Sequence, residues 1–443
     1  MKLIPFLALA IGACAQSATI GMNAIDQPID HFAQHSANFS QKYLVDSQYY
    51  RPPGPILLYL AGERAISSAD LETTGLVDLA QATHAMIVVL ESRFFGDSVP
   101  NADMEFLSVE QMLADVRQFV QHSDYSSPEA HWVVIGASFA GSLAAWTKFQ
   151  YPELNLGVIA SSAPMVVKDA YWEFDRAVAE RLPCAAQLAM AVEEVDRILD
   201  SRNRTRIMQL KRLFGLPQLR DDAEFAAALA LQQSELMQDP VLSDQPSPDV
   251  QNFCHDLSHA PTARLALAAF ANATRRYPVH APAACPADDD SSWFWLQCSQ
   301  LGLWQTYGES HLRSRRLTLR RITNMCSRCF PEYQAEQRKR DFHVFARRAQ
   351  FYYSACVPDA LFTAGSLDPW RFLTMPFVRQ CERSMVVDGA SHAQDLLDPD
   401  ELTMTRMVHV VESVRARAAR KSAAARMWSG QLAAAVLGLA LLA

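Results

Sequence analysis

The stretch Val133-Val134-Ile135-Gly136-Ala137-Ser138-Phe139-Ala140-Gly141-Ser142 decides how the chain is read. A β-branched apolar run stops at a glycine, and a serine stands two residues later. Small residues follow, and Leu143, Ala144, Ala145, Trp146 and Phe149 then continue in a helical pattern. The order is strand, sharp turn, helix. Such a turn can hold a serine in a strained backbone conformation with its hydroxyl exposed above a sheet, which demands small neighbours. The helix starting there adds the positive end of its dipole, and the Phe139 N–H can donate to a developing oxyanion. A G-x-S-x-G elbow would have glycine at position 140; this chain has Ala140, the least bulky alternative. The competing reading is an ordinary turn with a capping serine.

Outward from this stretch, strands alternate with helices. Ile56-Leu57-Leu58-Tyr59-Leu60 and the run from Met86 to Leu90 are short and continuously apolar, as suits central strands buried on both faces. Ser108-Val109-Glu110-Gln111 reads as a capping box opening an amphipathic helix through Val120. Gly157-Val158-Ile159-Ala160 supplies another strand after the elbow helix. This alternation predicts a parallel sheet and an α/β-hydrolase core. In that fold the residues after the early strand, Ala61-Gly62-Glu63, offer the second oxyanion donor through the Glu63 backbone. After Ala163-Pro164 the pattern turns helix-like, and β patterning resumes at Ala360-Leu361-Phe362-Thr363 and Met385-Val386-Val387. The expected organisation is a signal peptide at 1–15, core at 16–165, an inserted helical, disulfide-containing cap at 166–354, core again at 355–421 and an apolar tail at 422–443. The last helix is expected to start near Pro399. The arginine-rich stretches 313–321 and 415–426 read as solvated helix faces.

A serine hydroxyl is a poor nucleophile without a base, and the base needs an orienting carboxylate. In α/β-hydrolases these follow in the order Ser, acid, His, the last two on loops after late strands. Phe362 to Trp370 gives strand, turn and Asp368; Val386 to His392 gives strand, turn and histidine. The catalytic residues expected are Ser138, Asp368 and His392. Asp395 and Asp398 compete as acids, but both are expected to open the final helix, where they complement its dipole.

At these residues the chain resembles the serine peptidase family of lysosomal prolyl carboxypeptidase, dipeptidyl-peptidase II and thymus-specific serine protease. The matching stretches are Gln27-Pro28-Ile29-Asp30-His31-Phe32, Glu91-Ser92-Arg93-Phe94-Phe95-Gly96, Gly136 to Trp146, Gly365-Ser366-Leu367-Asp368-Pro369-Trp370 and Gly389-Ala390-Ser391-His392. Trp293-Phe294-Trp295-Leu296-Gln297-Cys298 and Trp304-Gln305-Thr306 match inside the insertion. Phe139 to Ala144 is closest to the thymus-specific branch. Ser92 stands where histidine is common, and Ala137 where glycine usually precedes the nucleophile. The resemblance implies a disulfide-bearing cap over the site and cleavage after proline, sometimes alanine, near a peptide end. Trp293, Trp295 and Trp304 are candidate walls of a proline pocket, with core packing as the alternative. The Glu63 side chain is a candidate anchor for a substrate amine, which tilts the expectation slightly towards release of N-terminal dipeptides.

The rest of the chain bounds the reading. The net charge of −8 argues against nucleic acid as a general partner, and there is no Gly-rich phosphate loop. No cofactor is expected. Lys2, an apolar run over 3–12 and Ala13-Cys14-Ala15 form a secretory signal with an A-x-A cleavage site; residues 11–14 also resemble a lipoprotein box. Cleavage leaves Cys184, Cys254, Cys285, Cys298, Cys326, Cys329, Cys356 and Cys381, an even set that favours disulfides in an exported chain. The Cys326/Cys329 spacing is therefore read as disulfide chemistry before redox or zinc. Sequons at Asn38, Asn203 and Asn272 fit the same route. Small residues at 422–424 and the apolar run 432–443 resemble a GPI-attachment signal, leaving membrane attachment and a homodimer open. His255 and His259 have helix-face metal spacing but no third ligand in sight, so no metal is assigned. The expectation is a secreted, lysosomal or cell-surface serine exopeptidase acting on peptides. The alternatives are a secreted esterase or lipase-like hydrolase and a catalytically silent binding protein.

Overall fold

The computed structural model describes residues 21–127, 129–238, 248–275, 285, 287–333, 335–353, 358–378 and 384–440. The expected signal peptide, Cys356 and Cys381 lie outside these residues. The strands are β1 (Asn23–Pro28), β2 (Asn38–Asp46), β3 (Ile56–Leu60), β4 (Met86–Leu90), β5 (Trp132–Ala137), β6 (Gly157–Ser161), β7 (Lys168–Ala170), β8 (Gly302–Trp304), β9 (Ala360–Gly365) and β10 (Ser384–Val387). Eight of them form one sheet in the order β1-β2-β4-β3-β5-β6-β9-β10. β1 pairs with β2, and β2 with β4, antiparallel; every other pair in the sheet is parallel. This is the α/β-hydrolase arrangement.

The period of two along each strand sorts the apolar residues into two cores. Leu58, Val88, Val134 and Val158 face helices Val109–His122 and Ser138–Gln150. Leu57, Ile87, Val133 and Ile159 face Leu76 and Leu79 of helix Thr74–Thr83 and Met407, Val410 and Val414 of the last helix. The central strands are therefore apolar at every position because both faces are covered. Strand order reverses direction around β3, so the carboxyl ends of β3 and β5 flank the crevice where ligands bind in open α/β sheets.

Between β6 and β9 the chain is mainly helical, from Glu173–Ala179 to Ala335–Tyr353. A small parallel ladder, Lys168↔Gly302 and Ala170↔Trp304, joins β7 to β8, which the helix-like composition hides. Three disulfides lie in this region: Cys184–Cys254, Cys285–Cys329 and Cys298–Cys326.

Several local expectations are corrected. Ser108 does cap Val109–His122 by accepting from Gln111 N at 3.3 Å. The Gln111 side chain does not close the capping box. Its Oε1 accepts from His31 N and its Nε2 donates to Asp30, because the N-terminal segment docks there. Residues 313–318 are not helical, and Arg313 is buried, donating to Asp175 at 2.8 Å. The last helix starts at Glu401, two residues after the expected Pro399. Its backbone runs to Ala440, and no described helix is long and apolar enough to cross a membrane.

Candidate active site

β5 ends at Ala137, and Ser138 follows at φ 55°, in the left-handed region a serine rarely visits. Holding it there costs on the order of 1–3 kcal/mol. The turn needs glycine at position 136, where a Cβ would stand 2.3 Å from the Ala140 carbonyl carbon. It tolerates alanine at 140 because of the facing strand end. Gly62, at φ +73°, approaches so closely that its own Cβ would lie 3.1 Å from that of Ala140. The methyl that departs from G-x-S-x-G thus occupies space that Gly62 leaves free.

The acid and the histidine come from the next strands along the same edge. β9 is followed by Asp368, which is fully buried; its Oδ1 accepts from Trp370 N at 2.8 Å. β10 is followed by His392, whose Nδ1 meets Asp368 Oδ2 at 3.0 Å. That contact leaves Nε2 of the ring for other partners. Among the described residues no hydrogen bond joins the Ser138 hydroxyl to His392; both stand at the carboxyl edge of the sheet. Catalytic hydrogen bonds are often long before substrate binds. Burial works against a charged His392. The charge and hydrogen bond of Asp368, helped by Glu63 and Asp395, outweigh it and hold the ring's pKa above the ordinary histidine value.

Glu63 follows β3 by three residues. Burial pushes its carboxyl above the usual range, opposed by its own backbone and by the charges of His392 and Arg64. Trp293 packs its ring against Phe139, centroids 5.4 Å apart, next to the elbow. Trp295 and Trp304 are buried within the helical region. The Trp295 indole donates to Leu107 O at 2.9 Å, whereas the buried Trp304 indole N–H has no acceptor among the described residues. The helical region also braces the acid loop. Tyr171 donates to Pro369 O at 2.6 Å and stacks on Trp370, and Phe174 packs on the same ring.

Comparison with known proteins bears on this site. Residues 27–238 and 254–414 match the model of the family described as serine carboxypeptidase S28. The chain belongs to the serine carboxypeptidase S28 family. A probable extracellular serine carboxypeptidase of Arthroderma benhamiae is 31% identical over 239 residues, 48% of this chain and 33% of that protein. The lysosomal Pro-X carboxypeptidase of Homo sapiens is 33% identical over 171 residues, 36% of this chain and 32% of that protein. The matched stretches thus span about a third of the length of these curated relatives. A solved proline iminopeptidase of Mycobacterium smegmatis superposes with a TM-score of 0.42 at 15% identity, covering 89% of this chain and 100% of that one.

In this S28 chain two stretches quoted for the resemblance meet at Asp115. Arg93 is fully buried and donates to both oxygens of Asp115, at 2.6 and 2.7 Å, and to the carbonyls of Pro28, Ile29 and Phe106. His31 Nε2 reaches the same Asp115 at 2.7 Å. A polar network therefore fastens the N-terminal segment to helix Val109–His122. A second contact region joins core to insertion. Asp289 accepts from Gly96 N and Ala65 N, and Ser292 donates to Phe94 O.

Of the remaining candidates, Asn38, Asn203 and Asn272 are exposed. The rings of His255 and His259 lie 4.3 Å apart, tilted by 38°, and the described residues hold no group of three metal-ligating side chains. Asp395 does not open the last helix. It sits in the short helix Gln394–Leu397, buried, accepting from Ser161 Oγ at 2.8 Å and from Thr363 Oγ1. Asp398 terminates that same short helix. The contacts of Asp395 with Ser161 and Thr363 are hidden in the sequence, because those residues lie 234 and 32 positions away. Its position three residues after His392 was the available signal.

Proposed function

We propose that the chain is a serine exopeptidase that cleaves peptides after proline through an acyl-enzyme. Ser138 Oγ attacks the scissile carbonyl while its proton passes to His392 Nε2. The tetrahedral oxyanion is held by the backbone N–H groups of Phe139 and Glu63. His392 then gives its proton to the leaving amine, leaving an ester on Ser138. Water, deprotonated by His392, attacks that ester and releases the acid. Asp368 fixes the ring and balances its charge. The observation that carries this reading is the 3.0 Å contact between His392 Nδ1 and the buried Asp368, on the sheet edge where Ser138 is strained.

The names of the relatives favour removal of a C-terminal residue that follows proline, and an extracellular or lysosomal setting. The three disulfides support an exported protein. A second reading, release of N-terminal dipeptides, draws on Glu63 as an acid beside His392. Against it, that carboxyl already interacts with His392 and Arg64. A panel of peptides beginning Xaa-Pro and peptides ending Pro-Xaa, free and end-blocked, separates the two by the masses of the products. Losing a buried terminal-charge partner costs about 2–5 kcal/mol, so the correct block should abolish turnover at ordinary concentrations. Loss of one C-terminal residue with tolerance of N-acetylation is expected. Cleavage of doubly blocked peptides would refute the exopeptidase reading.

A further inference from the structure

The histidine turn is short, and its contacts run to one place. Ala393, directly after His392, has φ 59° and donates its N–H to Ser162 Oγ at 3.0 Å. Two residues on, Asp395 reaches under the turn to Ser161 at the end of β6 and to Thr363 within β9. Ser161, Thr363 and Asp395 are all buried. The turn is thus tied to two strands that lie between the serine's strand and its own. Three polar side chains from separate segments, Ser161, Thr363 and Asp395, would not be buried together on the apolar sheet without partners. Here they satisfy one another.

We propose that Asp395 is a positioning residue for His392, clamping the histidine turn to β6 and β9. The inference rests on the assignment of His392 as the base. Asp368 acts on Asp395, and Asp368, Glu63 and Asp395 all act on His392. Helix Thr74–Thr83, packed on the short helix, turns its Asp78 to solvent. Burial pushes the Asp395 carboxyl up, while the Thr363 and Ser161 hydroxyls hold it down. Its ionised form favours a protonated His392, so removing the charge should ease deprotonation of the ring.

The test is the rate at which a fluorophosphonate labels Ser138, measured against pH in wild type, Ser138→Ala, Asp395→Asn and Thr363→Val. A displaced base costs about 10–100-fold. Asp395→Asn should label more slowly by that factor, with its acid limb moved to lower pH and the peptide KM unchanged. A structural role alone would lower the melting temperature without moving the limb. Wild-type labelling rate and limb in folded Asp395→Asn would overturn the inference. Should that variant not fold, Thr363→Val decides, since it removes one tie and keeps the charge. Slower labelling is expected, and an unchanged rate would overturn the clamp. Failure of wild type to label at Ser138 would instead overturn the triad, a separate result.

Discussion

Ser138, Gly62 and Ala140 show how one residue's freedom sets another's identity. Because Gly62 faces the Ala140 methyl, Gly62→Ala should strain both the positive φ and the packing. We expect a loss of activity and about 1–2 kcal/mol of stability. The damage should be smaller in an Ala140→Gly background, a coupling of at least about 0.5 kcal/mol in a double-mutant cycle. Equal damage in both backgrounds would show that the two residues do not meet. The base carries its own prediction. As the proposed base, His392 must be neutral to accept the serine's proton, and Asp368, with Glu63 and Asp395, holds its pKa above the ordinary value against burial. The acid limb of kcat/KM should therefore lie above the ordinary histidine range and move down in Asp368→Asn, which also loses plateau rate. A limb at or below the ordinary value in wild type would contradict the buried acid's influence. The order Ser138, Asp368, His392 was legible because each follows an apolar run and a turn. The opening between Gly62 and Ala140 was not, because two distant segments make it.

Among the elements, helix Val109–His122 does more than cover the sheet. It presents Asp115 to Arg93 and His31, so the N-terminal hairpin and the β4 loop share one buried anion. Asp115→Ala strands the buried Arg93 and should cost about 3–5 kcal/mol, seen as a lower urea midpoint. Turnover per folded molecule should hardly change. A loss below 1 kcal/mol would mean the network contributes little. Helix Asp288–Leu296 is placed for function, since Asp289 and Ser292 hold the loops beside β3 and β4 while Trp293 meets Phe139. Asp289→Ala should raise KM more than it lowers kcat. An unchanged KM would contradict that placement. The central strands, the elbow helix and helix Val109–His122 were legible from periodicity, because burial on both faces of a strand writes itself as a continuous apolar run. The β7–β8 ladder was hidden, since its partners are more than a hundred residues apart and only three residues long each. The Arg313–Asp175 pair was hidden for a related reason. A charge run looks solvated until a distant carboxylate is brought to it.

At the scale of the whole molecule, one apolar core runs from the sheet into the helical region, and disulfides cross-link the helical region as well. The sheet is covered on both faces by apolar side chains, and the three disulfides among the described residues lie between β6 and β9. Their closed loops span 70, 44 and 28 residues, a range in which each bond contributes about 2–4 kcal/mol. Mild reduction should therefore abolish peptide turnover before the strand signal in circular dichroism falls. Simultaneous loss of both would mean that the two regions unfold as one. The account depends most on Ser138 being the nucleophile whose base is His392. Mass mapping after fluorophosphonate treatment measures that directly. One adduct on the peptide carrying Ser138, reduced by about 10⁴-fold or more in rate in folded His392→Ala, is the predicted result. An adduct on another residue, or full labelling of Ser138 without His392, would contradict it.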